Sequence, residues 1–269
     1  MACFIPFNNR NLDISFFAFR PTVVLVGDLI DALKHFSSCT ETLGCVQSCL
    51  IQSIHGNMIL WYGAWLKKSC ENKEALTVTL ELDSELPQVG FSTPNSHKPL
   101  IFSQLSMLAN ISSMAILVEH TFFDSYAGDS RDGGLAAKLC RGDTISMSIA
   151  ALTVGNDMND LSYACLALFK SSFLKLEGVT SGVCLKCQSK PTVACFYVWK
   201  SLQSCYSWIL STNQRNSMLP YLDRFPLDLK YDIFRVVYVS GDNVLNVPFF
   251  SPLQMLEHGG ESKEQGQVM

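Results

Sequence analysis

Two stretches of the chain carry the same alternation of apolar runs and breakers. Gly44–Trp65, GCVQSCLIQSIHGNMILWYGAW, and Gly178–Trp199, GVTSGVCLKCQSKPTVACFYVW, each place two β-prone segments around a short polar interruption. In the first the interruption is His55-Gly56-Asn57, in the second Gln188-Ser189-Lys190-Pro191. Gly and Asn tolerate positive φ and Pro fixes its own, so each stretch predicts a β-hairpin.

The flanking segments predict a consistent order. Leu12–Arg20 is rich in aromatic and β-branched side chains and predicts a strand. From Pro21 the spacing of Val24, Leu25, Leu29, Ala32, Leu33 and Phe36 is near 3.6 and predicts a helix, closed by polar Ser37–Thr42. Lys67–Leu80 predicts a second helix. Ser113–Asp124 predicts a strand, Tyr126–Arg141 a Gly- and Asp-rich connection, and Asp143–Leu152 another strand. Asn156 and Asp157 offer an N-cap for a helix over Met158–Leu176. Ser201–Thr212 predicts a helix, 213–230 an irregular link with Pro220 and Pro226, and Tyr231–Ser240 a last strand.

Strand, helix, hairpin, helix, strand therefore describes 12–124 and again 143–240. A shift of 178 − 44 = 134 places Gly178 on Gly44 and Trp199 on Trp65 without a gap. The expected fold class is α+β, with antiparallel or mixed sheets, flanking helices and two pseudo-repeated halves. The halves are 1–125, with an inserted loop at 81–104, and 126–252, packed as one unit. The loop carries three prolines and is read as disordered. The tail, 253–269, is too polar to pack.

Composition narrows the function classes. Hydrophobic residues make up 48% and charged ones 16%, against roughly 25% charged in ordinary soluble domains, so a covered apolar face is expected. A net charge of −4 gives no basic footprint, which argues against a nucleic-acid partner. No apolar run approaches the ~20 residues of a membrane-spanning helix. MACFIPFNNR lacks a basic segment ahead of an apolar one, so no signal peptide is read and a cytoplasmic or nuclear protein is expected. Most of the eleven cysteines sit in apolar runs and are expected to be small buried hydrophobes.

The chemical lead is the CxxC of Cys184 and Cys187. It reads as two ordinary strand positions, as part of a zinc site completed by Cys195 and Cys205, or as a thiol-redox pair. Residues three apart on a strand face opposite sides, which opposes joint coordination. Gly128-Asp129-Ser130 resembles an esterase signature, but no histidine is placed for it; His120 and Glu119 are neighbours on a strand and face opposite ways. Arg141-Gly142-Asp143 reads as a turn. No phosphate-cradling glycine motif and no paired-histidine spacing is present, so neither a cofactor nor a small-molecule substrate is indicated.

Element order over 21–176 resembles the roadblock and longin group of small domains, and more loosely profilin. That resemblance implies a non-catalytic, dimerising scaffold. At the level of residues, MACFIPFNNRNLDISFF, SIHGNMILWYGAW and GVTSGVCLKCQSKPTVAC are similar to a plant protein family without established activity, which assigns no functional residue. The resulting expectation is a non-enzymatic interaction or scaffold protein that self-associates or docks a protein partner through an apolar face. A zinc or thiol-redox protein is the alternative.

Overall fold

Segments rich in Val, Ile, Phe, Trp and Tyr favour extended backbone, and here they pair with one another around a complete circle. The computed structural model describes residues 2–8, 11–67, 102–153, 158–211 and 227–240. Its strands are β1 (Ala2–Pro6), β2 (Leu12–Pro21), β3 (Cys45–Ser53), β4 (Ile59–Leu66), β5 (Ala115–Ser130), β6 (Ala136–Cys140), β7 (Thr144–Leu152), β8 (Val179–Cys187), β9 (Thr192–Trp199) and β10 (Leu227–Val239). The helices are α1 (Val26–Glu41), α2 (Phe102–Met114), α3 (Met158–Phe173) and α4 (Leu202–Leu210).

Eight strands close a barrel in the order β10-β3-β4-β2-β5-β8-β9-β7, every neighbouring pair antiparallel. The quartets β3-β4-β2-β5 and β8-β9-β7-β10 each have the strand order of a βαββαβ, ferredoxin-like sheet. They are sewn together by β5 on β8 and β10 on β3. Closure leaves no open edge among these eight strands.

The helices cover the outside of the barrel. Leu29, Leu33 and Phe36 of α1 and Leu108 and Ile111 of α2 pack on the outward residues Phe17, Leu50, Trp61 and Trp65. Leu161, Phe169 and Phe173 of α3 and Cys205 of α4 pack on Val179, Cys184, Tyr197 and Trp199. The inward residues, among them Ile14, Phe16, Ile51, Leu185, Phe196 and Phe234, fill a separate core. Matching stations anchor the two halves: the indole N–H of Trp65 donates to Ser15 Oγ at 2.7 Å, and that of Trp199 to Ser146 Oγ at 2.8 Å.

This architecture corrects the expected fold class. The described residues are mostly sheet, and the two antiparallel quartets, alike in strand order, close into one barrel instead of standing as separate sheets of two α+β halves; the fold is not roadblock-, longin- or profilin-like. The cross-half pairs of β5 with β8 and of β10 with β3 are the physical reason, since local pattern carries no information about them. The boundary drawn between 125 and 126 falls inside β5. Tyr126–Arg141, read as a connection, contains the end of β5 and all of β6. Pro21 ends β2 opposite Ala115 instead of opening a helix, and α1 runs on through Ser37–Glu41. Neither Gly56 nor Asn57 takes positive φ; the positive-φ glycines among the described residues are Gly44, Gly133 and Gly142. All but the first residue of the helix expected over Lys67–Leu80, most of the 81–104 loop, the Asn156 and Asp157 cap, the part of the 213–230 link that holds Pro220 and Pro226, and the 253–269 tail lie outside the described residues; the end of that link, 227–230, is the start of β10.

Candidate functional site

An eight-stranded barrel has an interior just wide enough to be filled by side chains or to hold one small ligand. Here the two ends differ. One end is sealed by a ribbon of β1 and β6, paired Ala2 to Cys140 through Pro6 to Ala136, whose residues Cys3, Ile5, Ala137 and Leu139 join the interior core. Gln47 on β3 clamps the ribbon with both ends of its amide. It accepts the Phe4 N–H at 3.0 Å and donates to the Phe4 carbonyl. The Tyr62 hydroxyl donates to the same carbonyl at 3.1 Å, and Ser125 Oγ donates to the Pro6 carbonyl at 2.5 Å. The Phe7 ring then lies over Gly128, where a Cβ would come within 1.9 Å of it. Burial pushes the Tyr62 phenol and the Cys3 thiol well above their ordinary ranges, so both stay neutral donors in this sealed end.

The other end opens. A small cavity open to solvent lies in the mouth. Its wall is made by inward residues of five strands: Phe16 on β2, Leu60 on β4, Phe123 on β5, Met147 and Ile149 on β7, and Phe196 on β9. Phe16 organises the wall, stacking on Phe196 with centroids 5.0 Å apart and meeting Phe123 edge-on at 5.7 Å. Towards the rim the lining turns polar with Thr121, Thr192 and Glu119. The Glu119 carboxylate accepts from Thr121 Oγ1 at 3.5 Å and pairs with Lys190 Nζ at 3.5 Å. Such a wall can hold an apolar ring and offer its edge both charge and hydrogen bonds.

The turn that carries Lys190 is held at several points. The Lys190 N–H donates to Cys187 Sγ at 3.2 Å, and the Lys190 carbonyl accepts from the Thr192 N–H at 2.7 Å. The Pro191 carbonyl accepts from Leu152 N–H at 3.0 Å, and Gln188 N–H donates to the Phe122 carbonyl at 3.0 Å. The Gln188 side chain also donates to Asp13 and Asp124, each at 3.1 Å.

Of the four cysteines singled out in the sequence, two meet, and the four do not form one site. Cys184 and Cys195 face each other across β8 and β9, Sγ to Sγ 2.8 Å, on the buried outer face under α3. Cys187 lies on the inner face. Cys205 sits on α4, its thiol pushed up to about 11 by burial. The Cys195 thiol is raised by its bond with Cys184 and then by burial, which disfavours the thiolate. Among the described residues no group of three or more His, Cys, Asp or Glu is arranged to hold a metal. Ser130, of the esterase-like signature, bonds Asp132 near the sealed end, and Arg141-Gly142-Asp143 is the turn from β6 to β7, with Gly142 at φ 95°. Glu119 lines the mouth while His120 stacks on Phe17 of the outer face. The lining residues other than Glu119 went unmarked in sequence because they come from five strands with no fixed spacing.

Comparisons with known proteins agree with this architecture. Residues 121–234 match the model of a domain of unknown function, DUF7392. No curated protein matches the chain. Among solved structures, an anthrone oxidase-like protein superposes with a TM-score of 0.63 at 12% identity, covering 88% of this chain and 96% of that one. A proposed monooxygenase of Fusobacterium nucleatum superposes with a TM-score of 0.57 at 8% identity, covering 87% and 95%. At such identities the likeness is one of fold. It runs against the expectation of a non-enzymatic scaffold, since the two structures that share the fold are described as anthrone oxidase-like and as a proposed monooxygenase. Among the described residues no helix is long and apolar enough to cross a membrane.

Proposed function

We propose that this protein binds a small, largely apolar molecule in the open mouth of its barrel and acts on it there. The observation that carries the reading is the asymmetry of the interior: sealed by β1 and β6 at one end, aromatic and solvent-reachable at the other. The two similar structures with the higher TM-scores are described as anthrone oxidase-like and as a proposed monooxygenase, which makes oxygen-dependent oxidation the activity to assay first. A cytoplasmic or nuclear setting goes with this reading and is supported by ten free thiols among the described residues.

The test is a titration with toluene, read at the ¹³C-labelled methyl of Met147 in the cavity wall. A saturable shift in the wild type is expected, abolished when Ala18→Phe, at a lining position next to Phe16 on the inner face of β2, fills the mouth. No saturable shift, or one untouched by Ala18→Phe, refutes the reading.

A further inference from the structure

We infer that the Glu119–Lys190 pair selects the ligand, and that the molecule bound in the mouth carries a single weakly acidic hydroxyl at the edge of its apolar ring. This rests on the binding reading above and deepens it. Glu119 is the charged member of the cavity lining; the rest of the wall is aromatic, aliphatic or threonine. Its carboxylate oxygen and the Lys190 ammonium stand 3.5 Å apart, longer than a close charge-assisted contact of about 2.7–2.9 Å. A hydroxyl oxygen can bridge them from the cavity side, donating its proton to the carboxylate and accepting from the ammonium. One O–H group thus satisfies both charges, with no bond made or broken.

Three further observations favour this over an incidental surface pair. Half-exposed ion pairs contribute little to stability, and Glu119 and Lys190 have side chains 42% and 57% exposed, so folding alone gives weak reason for the pair. The Lys190 turn is nevertheless fixed by main-chain bonds to Cys187, Thr192, Leu152 and Phe122, which sets the backbone from which the ammonium reaches Glu119. Glu119 is placed inward by strand alternation, with Thr121 on the same face two residues on. Charge also discriminates. A carboxylate on the ligand would meet Glu119 at close range, and an ether or a bare hydrocarbon would add no donor to those Glu119 already has in Thr121 and Lys190. Hence the class is a hydroxyl, neither an acid anion nor an unsubstituted ring.

The experiment compares phenol, anisole, toluene and benzoate by the Met147 methyl titration. The wild type is expected to bind phenol about tenfold more tightly than anisole or toluene, and benzoate more weakly than phenol. In Glu119→Ala and in Lys190→Met the phenol-to-toluene ratio is expected to fall to within about twofold. Lys34→Ala, a remote surface change on α1, serves as the control for the ratio, and thermal melts check that each variant folds. Equal binding of phenol and toluene by the wild type, or a preference that survives Glu119→Ala, overturns the selection inference and leaves the binding reading standing. Failure of every probe to bind overturns both.

Discussion

The sealed end of the barrel rests on a contact that admits no extra atom. A Cβ on Gly128 would lie 1.9 Å from Phe7 Cδ1 and 2.4 Å from Cγ, so Gly128→Ala must move the ring or the strand beneath it. Moving the ring forfeits burial of a side chain now only 9% exposed, about 1.5–3 kcal/mol; keeping it overpacks the core for about 1–3 kcal/mol. Gly128 does not use positive φ, so alanine is conformationally allowed and recovers roughly 0.5–1 kcal/mol of backbone entropy. The expected net loss is about 1–2 kcal/mol. In a Phe7→Ala background the space is vacant, and the same substitution should be neutral or slightly stabilising. The coupling in the double-mutant cycle is then about 2 kcal/mol, read from urea midpoints at constant m-value. Gly27→Ala in α1, where a Cβ would meet nothing within 4 Å, is the control and should stabilise by roughly 0.5–1 kcal/mol. Additivity of Phe7→Ala and Gly128→Ala within about 0.5 kcal/mol would show that the ring does not occupy that space.

Two further tests probe the shell. Ser15→Ala strands the indole N–H of fully buried Trp65 and should cost about 1–3 kcal/mol, most of which disappears in a Trp65→Phe background; a neutral Ser15→Ala in chemical denaturation contradicts the bond. Alkaline pH should also destabilise the fold: burial raises the Cys45 thiol from its ordinary 9.0 to about 12. The neutral thiol is favoured in the folded state, so its contribution is complete below pH 9 and is lost as pH rises towards 12, at up to about 1.4 kcal/mol per pH unit. Melting temperatures from pH 8 to 10.5 should therefore fall less steeply in Cys45→Ala, and parallel profiles for the two proteins would refute this.

Individual elements were legible wherever one local rule decided them. LDISFFAFR is β2, the apolar runs on either side of QSKP are β8 and β9, and the 3.6 spacing of Leu29, Leu33 and Phe36 marks the buried side of α1. Closure was illegible because β3, β4, β8 and β9 are buried on both faces, helices outside and packed core within. Such strands read as unbroken apolar runs, which do not distinguish a barrel from a layered sheet. The deciding contacts pair Phe123 with Cys187 and Phe234 with Ser53, far apart in sequence. In β5 the turn-forming composition of SYAGDS masked an extended strand. Gly128 there makes room for the Phe7 ring and forms no turn.

The mouth was harder still to foresee, for a reason rooted in the sealed end. A barrel interior is lined by alternate residues of every strand, so its polarity shows only once register is known. Glu119 was visible as a charge inside an apolar run, AILVEHTFF, and its opposition to His120 followed from strand alternation. Nothing local says that Phe16, Met147 and Phe196 share its chamber, or that the chamber has one entrance. ACFIP decides the entrance: pinned by Gln47 and Tyr62, it fills the end where β3 begins. A molecule reaching Phe16 then enters from the end whose lining includes Glu119, paired with Lys190. A plug at one end therefore leaves that ion pair beside the open side of the cavity.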